Sequence, residues 1–307
     1  MEHDSLLSRR TFLGSTAAVA GAMTASFASA EESRCKLVLL AGRPSHGPME
    51  HEFNAGTLLL KKCLEGVPGL VVEHHRNGWP ENEKAFEGAR GIFLYADGGS
   101  GHPFIQDGRL SIIGDMMRRG VGLLCAHYAV EVPANKGGKE FQDWLGGYYE
   151  HQWSCNPMWT PDFAELPKHP ITRGVKPFSI RDEWYFNMRF RPDMKDIKPI
   201  LSAKPSDAVR DGPYVYPRGP YKHIQEAKGH TELMMWAVER KDGGRGVGFT
   251  GGHYHRNWRD DNFRKVVLNA ALWICKLEVP QDGVGVGTTV TEAEIKENLD
   301  PKGPREK

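Results

Sequence analysis

The sequence lacks the patterns that assign a function directly. No two of its 5 cysteines form a C-x-x-C pair, so the common zinc-finger and thioredoxin signatures are absent. Lys and Arg number 40 against 39 Asp and Glu, with no basic run, which gives no electrostatic case for nucleic acid. After residue 30, no stretch is long and apolar enough to span a membrane. These absences favour neither a nucleic acid nor a membrane as a partner.

The first 30 residues have the features of a twin-arginine export signal. They contain the motif SRRTFL at Ser8–Leu13, a weakly apolar segment at Gly14–Phe27 and a small-x-small cleavage pattern at Ala28–Ala30. We therefore predict that the twin-arginine machinery exports the protein, that the mature chain begins at Glu31, and that it works in the periplasm or outside the cell. This pathway carries proteins that have already folded. Export by it therefore favours the interpretation that the protein binds a cofactor or metal in the cytoplasm before export.

Short apolar runs alternate with amphipathic segments along the rest of the chain. The apolar runs predict buried strands and the amphipathic segments predict helices. The predicted strands are Lys36–Ala41, Gly69–Glu73, Gly91–Tyr95, Val121–Cys125, Glu232–Glu239 and Gly246–Thr250. The predicted helices are His51–Glu65, Ile105–Arg119 and Asp260–Cys275. This alternation predicts an α/β fold with a parallel sheet and helices on both faces.

The periodicity weakens between Lys139 and Lys228, where tryptophan and proline are frequent. We predict a loop-rich insertion over the sheet, with strands near Phe178–Trp184 and Pro199–Ala203. Residues 280–307 are rich in glycine and charge, and we predict a loose tail there. The folded domain is therefore expected to span residues 31–279.

Five segments, taken in order, carry a family resemblance. They are GLLCAHYA at Gly122–Ala129, KHPITRGV at Lys168–Val175, DEWYF at Asp182–Phe186, GRGVGFTGGHYH at Gly244–His255 and FRKVVLNAALWI at Phe263–Ile274. From about Lys36 to Leu277 the chain resembles the ThuA-like (trehalose-utilisation) family. The resemblance implies a flavodoxin-like fold related to class I glutamine amidotransferases. It also implies a role in sugar metabolism, with keto-sugar chemistry as the suspected area.

The turn after the strand Val121–Cys125 separates this chain from the amidotransferases. An amidotransferase needs a cysteine nucleophile on that sharp turn. Here His127 holds the position, and Cys125 lies two residues earlier, within the strand, where a thiol is buried and unreactive. We therefore expect no glutaminase activity.

His127, Glu183 and His253 each end or follow a predicted strand, and the resemblance implies that these strand ends meet. Two imidazoles and one carboxylate, with coordination positions left open, form a ligand set for Zn, Fe(II), Mn or Ni. We predict a divalent transition metal at these residues, with zinc as the first choice. A hydrogen-bonded His–Glu–His network without metal is the alternative. Asp182, next to Glu183, could contact sugar hydroxyls, with a place at the solvated surface as the default expectation.

Other side chains near the same strand ends complete the predicted site. His51, at a helix N-terminus, is expected to be neutral, as a ligand or a hydrogen-bonding group, and either His51 or His255 is expected to move protons. His255 would share a face with His253 on an extended segment, as a fourth ligand or a substrate contact, with an exposed loop histidine as the alternative. The predicted substrate contacts are His46, Trp153, Trp184 and Tyr185. Tryptophans that form a small core of the insertion are the alternative reading of this region.

Together these features predict an exported, metal-assisted enzyme that acts on a small-molecule carbohydrate. The substrate would be a sugar or keto-sugar derivative, trehalose-type or another glycoside. Hydrolysis or elimination of a keto-glycoside and isomerisation both stay open. The alternative is a non-catalytic carbohydrate-binding protein on the same fold, whose sugar binding would survive chelation of metal.

Overall fold

The computed structural model describes residues 34–285 and 287–303, and the predicted export signal lies outside them. The strands in chain order are β1 (Cys35–Ala41), β2 (Leu70–His75), β3 (Ala89–Tyr95), β4 (Gly122–Ala126), β5 (Gly147–Tyr148), β6 (Met158–Trp159), β7 (Asp162–Phe163), β8 (Phe178–Ser179), β9 (Asp182–Glu183), β10 (Arg189–Phe190), β11 (Ile197–Ala203), β12 (Glu232–Glu239) and β13 (Arg245–Phe249). The α-helices are α1 (Phe53–Leu64), α2 (Arg109–Arg118), α3 (Lys139–Trp144), α4 (Asp207–Asp211), α5 (Lys222–Glu226), α6 (Asp261–Ile274) and α7 (Glu292–Ile295).

The long strands form one sheet in the order β11-β12-β13-β4-β3-β1-β2. Strands β2, β1, β3, β4 and β13 pair in parallel, whereas β12 and β11 pair antiparallel with their neighbours. Because β4 is apolar throughout, it lies in the middle of the sheet with every residue buried. This mostly parallel α/β sheet confirms the predicted fold class.

Helices cover both faces of the sheet, as the alternation predicts. Successive strand residues point to opposite faces, so Leu37 and Leu39 of β1 belong to the core that includes α1 and α6. Val38 and Leu40 belong to the core that includes α2 and α3. None of the described helices is long and apolar enough to cross a membrane.

The region from Lys139 to Lys228 is the loop-rich insertion that the sequence predicts. It contributes β11 to the edge of the main sheet. Its other strands are each two residues long and form separate two-stranded sheets. The single strand predicted near Phe178–Trp184 is wrong. It is divided into β8, which pairs with β7, and β9, which pairs with β6, because the two halves bond different partners.

The described part of the C-terminal segment, residues 280–285 and 287–303, is packed against the domain, so the prediction of a loose tail was wrong. Val284, Val290 and Ile295 are buried in the core beside α6. At its far end the Lys302 ammonium donates to the backbone carbonyls of Glu50 and His51. Because the segment is rich in glycine, its composition did not indicate that these few apolar and charged residues would bind it to the domain.

All five cysteines are buried as free thiols. Burial raises the pKa of the Cys125 thiol far above its usual range. A thiol in this state is a poor nucleophile, as expected for a core residue of β4.

Candidate metal centre

Three histidines and one glutamate meet above the carboxyl ends of the central strands, where open α/β sheets bind their ligands. His51 lies in the loop after β1, His127 directly follows β4, His253 follows β13, and Glu183 ends β9 of the insertion. All four side chains are buried, and one ligand atom from each lies within 4.8 Å of the others. The structure thus brings the three predicted ligands together, and His51, predicted to carry protons, joins them.

The four side chains face one another at short distances. His51 Nε2 lies 3.0 Å from both His127 Nε2 and His253 Nδ1. Glu183 Oε2 lies 2.8 Å from His253 Nδ1 and 3.6 Å from His127 Nε2. These four atoms therefore surround a common centre, which we call the four-ligand cluster.

Backbone strain is concentrated at the histidines of this region. The φ angles of His46, His51 and His127 are 60°, 46° and 56°, in the left-handed region that non-glycine residues rarely adopt. Such strain persists only where the surrounding structure holds it, and it is common at functional sites. At His127 it bends the chain sharply after β4 and aims the imidazole at the cluster.

In His127 and His51, the ring nitrogen that points away from the cluster forms a hydrogen bond. This bond determines that the other ring nitrogen faces the cluster without a proton. His127 Nδ1 lies 3.0 Å from the backbone carbonyl of Thr250, which can only accept, so Nδ1 carries the proton. His51 Nδ1 lies 2.8 Å from Asp97 Oδ1, which fixes the same tautomer. The two Nε2 lone pairs then face each other at 3.0 Å and cannot bond each other without a proton or cation between them.

The donor set fits a divalent transition metal. Donor atoms around a tetrahedral zinc ion lie about 3.3 Å apart, because metal–nitrogen bonds are about 2.0–2.1 Å long. Four donor–donor separations within the cluster, two of 3.0 Å and the others of 2.8 and 3.6 Å, bracket this value. Three imidazoles and one carboxylate suit Zn and also Fe(II), Mn or Ni, and the outer hydrogen bonds to Asp97 and Thr250 are those expected of ligating histidines.

Without a metal, the neighbouring carboxylates favour a proton on His253. Burial lowers the pKa of His253, but Glu183, Asp182 and Glu50 outweigh it and leave the pKa above its usual value. Burial also raises the pKa of Glu183. Burial, followed by the charges of the other two imidazoles, holds the pKa of His127 far below its usual value, so that ring is neutral. A metal competes with protons for the same ring nitrogens, so its affinity should rise with pH.

Asp182 supports the loop that carries His253, and its predicted place at the solvated surface was wrong. Its buried carboxylate accepts the backbone N–H groups of Gly252 at 2.8 Å, His253 at 3.0 Å and Tyr254 at 3.3 Å. It also accepts a hydrogen bond from Asn257 Nδ2 at 3.0 Å. These bonds fix the backbone of the GGHY turn and with it the direction of the His253 ring.

A cavity of about 570 Å³ opens directly onto the cluster. His46 lines it and stacks on His51, with ring centroids 3.6 Å apart. Tyr185 also lines it and places its hydroxyl 3.1 Å from His127 Nε2. The other lining residues are His51, Gly99, Ser100, Tyr128, Glu131, Pro133, His151, Asn156, Glu183, Val215 and Tyr216. The structure therefore places His46 and Tyr185, two of the predicted substrate contacts, on the wall of the cavity.

Residues 100–274 match the family model described as ThuA, trehalose utilisation. The chain belongs to the ThuA family. The matched residues include three members of the cluster, and His51 precedes them. No curated protein matches the chain.

Solved structures of ThuA-like proteins share the fold. One, from Bacteroides uniformis, has 16% sequence identity and a TM-score of 0.55, with 80% of this chain and 93% of that chain covered. Another, from Parabacteroides merdae, has 16% identity and a TM-score of 0.53, with 86% and 99% covered. At this identity the likeness shows the ThuA fold alone.

Three predicted site residues lie elsewhere in this ThuA domain. His255 begins a 3-10 turn instead of continuing an extended segment, so its Nε2 turns away to the carbonyl of Ile295 at 3.0 Å. Trp184 is a core residue, and a side chain at Gly251 would come within 2.6 Å of its ring. Trp153 stacks on His223, with centroids 4.7 Å apart, and does not line the cavity. Trp184 follows the alternative reading, in which tryptophan forms part of a core, whereas the half-buried Trp153 lies against His223 and Arg189.

The sequence did not reveal several residues around the cluster and its cavity. Asp97 lies two residues after the predicted strand Gly91–Tyr95, a position that could have indicated its role beside His51. Asn156 and Tyr216 lie in irregular parts of the insertion, where no periodicity places a side chain. Glu131 lies four residues after His127 on the same wall, and burial, then Glu183, raises its pKa to about 8.

Proposed function

We propose that this ThuA-family protein is a divalent metal-dependent enzyme that acts on a sugar or an oxidised sugar derivative. The convergence of three imidazoles and one carboxylate, with one ligand atom from each within 4.8 Å of the others, is the observation that carries the proposal. These four donors would hold a cation at the end of the cavity, and substrate or water would bind it as a fifth ligand. The carbohydrate class rests on the family description, trehalose utilisation.

The protein side chains divide the work around the cavity. His51, His127, His253 and Glu183 would hold the metal, which as a Lewis acid would polarise a carbonyl or activate water. Asp97 keeps the tautomer of His51, and the Tyr185 hydroxyl faces the cavity beside His127.

Glu131 is the best-placed proton donor. It lines the cavity, and at neutral pH burial keeps its carboxyl largely protonated, with a pKa of about 8. A protonated carboxyl can give its proton to the oxygen that leaves a glycosidic bond, or to an enediol oxygen in an isomerisation. His255, turned away to Ile295, cannot fill this role.

Turnover should depend on both the metal and Glu131. We would screen trehalose, maltose, sucrose and their 3-keto forms with and without chelator, and expect chelation to abolish turnover and added Zn, Mn or Fe(II) to restore it. Glu131→Gln keeps the shape but holds no acidic proton, so kcat should fall about 10²–10⁴-fold and the decline of the rate at alkaline pH should disappear. A bound cation favours the Glu131 carboxylate, so this decline should lie below pH 8 in the loaded enzyme.

The same screen separates the enzyme from a carbohydrate-binding protein. Sugar binding that survives chelation, with no turnover of any compound under any of the metals, would identify the binding protein. Turnover that is insensitive to chelator would remove the metal from the proposal.

We also propose that the protein is exported by the twin-arginine machinery, supported by SRRTFL at Ser8–Leu13 and the cleavage pattern at Ala28–Ala30. The secreted protein should begin at Glu31. Replacing Arg9 and Arg10 by Lys should keep it in the cytoplasm, because the machinery recognises the arginine pair and not charge alone. Fractionation followed by N-terminal sequencing checks both. Normal export of the twin-lysine form, with an intact N-terminus, would contradict the proposal.

A further inference from the structure

The loop 212–220 presents apolar side chains to solvent at the mouth of the cavity. Tyr216 is 70% exposed and Val215 is 37% exposed, and both line the cavity. Exposed apolar groups beside a cavity are typical of ligand contacts. The two residues are therefore candidates for a part of the ligand that the four-ligand cluster does not reach.

The loop is held in place by its neighbours. Tyr214 is buried, its backbone N–H donates to the carbonyl of Arg218 at 3.0 Å, and its hydroxyl donates to the carbonyl of Arg210 at 2.6 Å. Tyr216 is thus presented on an anchored backbone, which reduces the entropy that a ligand would lose on binding.

Asn156 joins this loop to the cluster. Its backbone carbonyl accepts the N–H of Val215 at 3.3 Å, and its Oδ1 accepts the N–H of Tyr216 at 3.2 Å. Its Nδ2 donates to Glu183 Oε1 at 2.8 Å, on the oxygen that does not face His253. One side chain therefore positions both the carboxylate of the cluster and the exposed tyrosine.

A second ring lies beside Tyr216. The His151 ring is tilted by 38° to that of Tyr216, with centroids 6.0 Å apart, and it also lines the cavity. His151 Nδ1 lies 3.9 Å from Glu131 Oε1. Along the cavity wall, the four-ligand cluster is followed by the carboxyl of Glu131 and then by the two rings of His151 and Tyr216.

We infer that Tyr216 and His151 form a separate subsite for the second ring of a two-ring glycoside, while the first ring lies at the four-ligand cluster. The apolar C–H face of a pyranose matches the face of an aromatic ring, and a hydroxyl-rich ring edge matches the cluster. In this arrangement Glu131 faces the bond between the two rings. The inference rests on the proposed function, because it names the substrate class of the same cavity.

Binding measured without turnover tests the subsite. Calorimetry on chelator-treated full-length protein would compare trehalose, maltose and sucrose with methyl α-glucoside, their single-ring counterpart, each also in its 3-keto form. Tyr216→Ala should weaken the best two-ring ligand about tenfold and leave the single-ring affinity unchanged, because one aromatic stacking contact is lost. Tyr216→Phe should retain the affinity of the wild-type protein.

The matched control is Met194→Ala, which removes another exposed apolar side chain of the insertion, one that does not line the cavity. It should change neither affinity. Equal weakening of both ligand classes by Tyr216→Ala, no weakening of either, or no two-ring binding by the wild-type protein would overturn the subsite. If the single-ring and two-ring affinities separate as expected but protein purified without chelator carries no transition metal, the subsite stands and the metal-dependent enzyme falls.

Discussion

Glu183→Gln should reduce the transition-metal content of the protein, purified as folded in the cell, from about one ion per chain to nearly none. Glu183 supplies the negative charge of the four-ligand cluster, with Oε2 2.8 Å from His253 Nδ1. An amide of the same shape keeps the packing but presents a weaker, neutral donor. The affinity should therefore fall by more than the ~10–100-fold that is typical for the loss of an outer hydrogen-bond partner. Elemental analysis and metal titration measure both quantities.

Two other carboxylates provide the controls for this prediction. Glu150 lies in the same insertion but bonds Arg189 at 2.7 and 2.9 Å, so Glu150→Gln should leave the metal content unchanged. Glu50 Oε1 lies 3.5 Å from His253 Nε2, outside the cluster, and Glu50→Gln should weaken metal binding about 10–100-fold. Wild-type protein without transition metal, or Glu183→Gln protein that retains it fully, would contradict the metal centre.

Asp182→Ala should destabilise the metal-free protein by about 3–5 kcal/mol, although Asp182 is the neighbour of a ligand and not a ligand itself. The substitution leaves the backbone N–H groups of Gly252, His253 and Tyr254 buried without their acceptor. The His253 ring should also lose its orientation, so metal affinity should fall together with stability. Urea unfolding in the presence of chelator isolates the stability effect from metal binding.

Asp162→Ala is the matched control, because Asp162 lies in the same insertion but is exposed and bonds only the hydroxyl of Ser179 at 3.1 Å among the described residues. It should change the free energy of unfolding by less than about 0.5 kcal/mol. Equal urea midpoints for Asp182→Ala and Asp162→Ala would show that the N–H groups of the turn find other partners. Asp182 would then not be the residue that stabilises the turn.

The sequence predicts the sheet well because buried parallel strands are short apolar runs that need no knowledge of their neighbours. The same runs place His127 and His253, since each follows the end of a strand and the carboxyl ends of parallel strands share an edge. The failures have a common cause in irregular backbone. His255 was placed on an extended segment, but the chain enters a 3-10 turn there, and the side chain turns to Ile295.

Composition was also a poor guide to where side chains pack. Tryptophan is equally common in a sugar site and in a small core, and Trp184 belongs to the core. Asp182 and Glu183 are adjacent and chemically alike, yet one fixes a turn and the other faces the cluster. Only the three-dimensional arrangement of backbone N–H groups distinguishes their roles.

The contact between Lys302 and the carbonyl of His51 has a consequence for how the cluster is assembled during synthesis. It joins residues 251 positions apart, so the clamp on the loop of His51 is translated long after the loop itself. A nascent chain that ends before residue 253 lacks both this clamp and His253. A metal held by all four ligands would therefore bind only after His253 has been synthesised, and a product truncated before that residue would have an incomplete set of ligands.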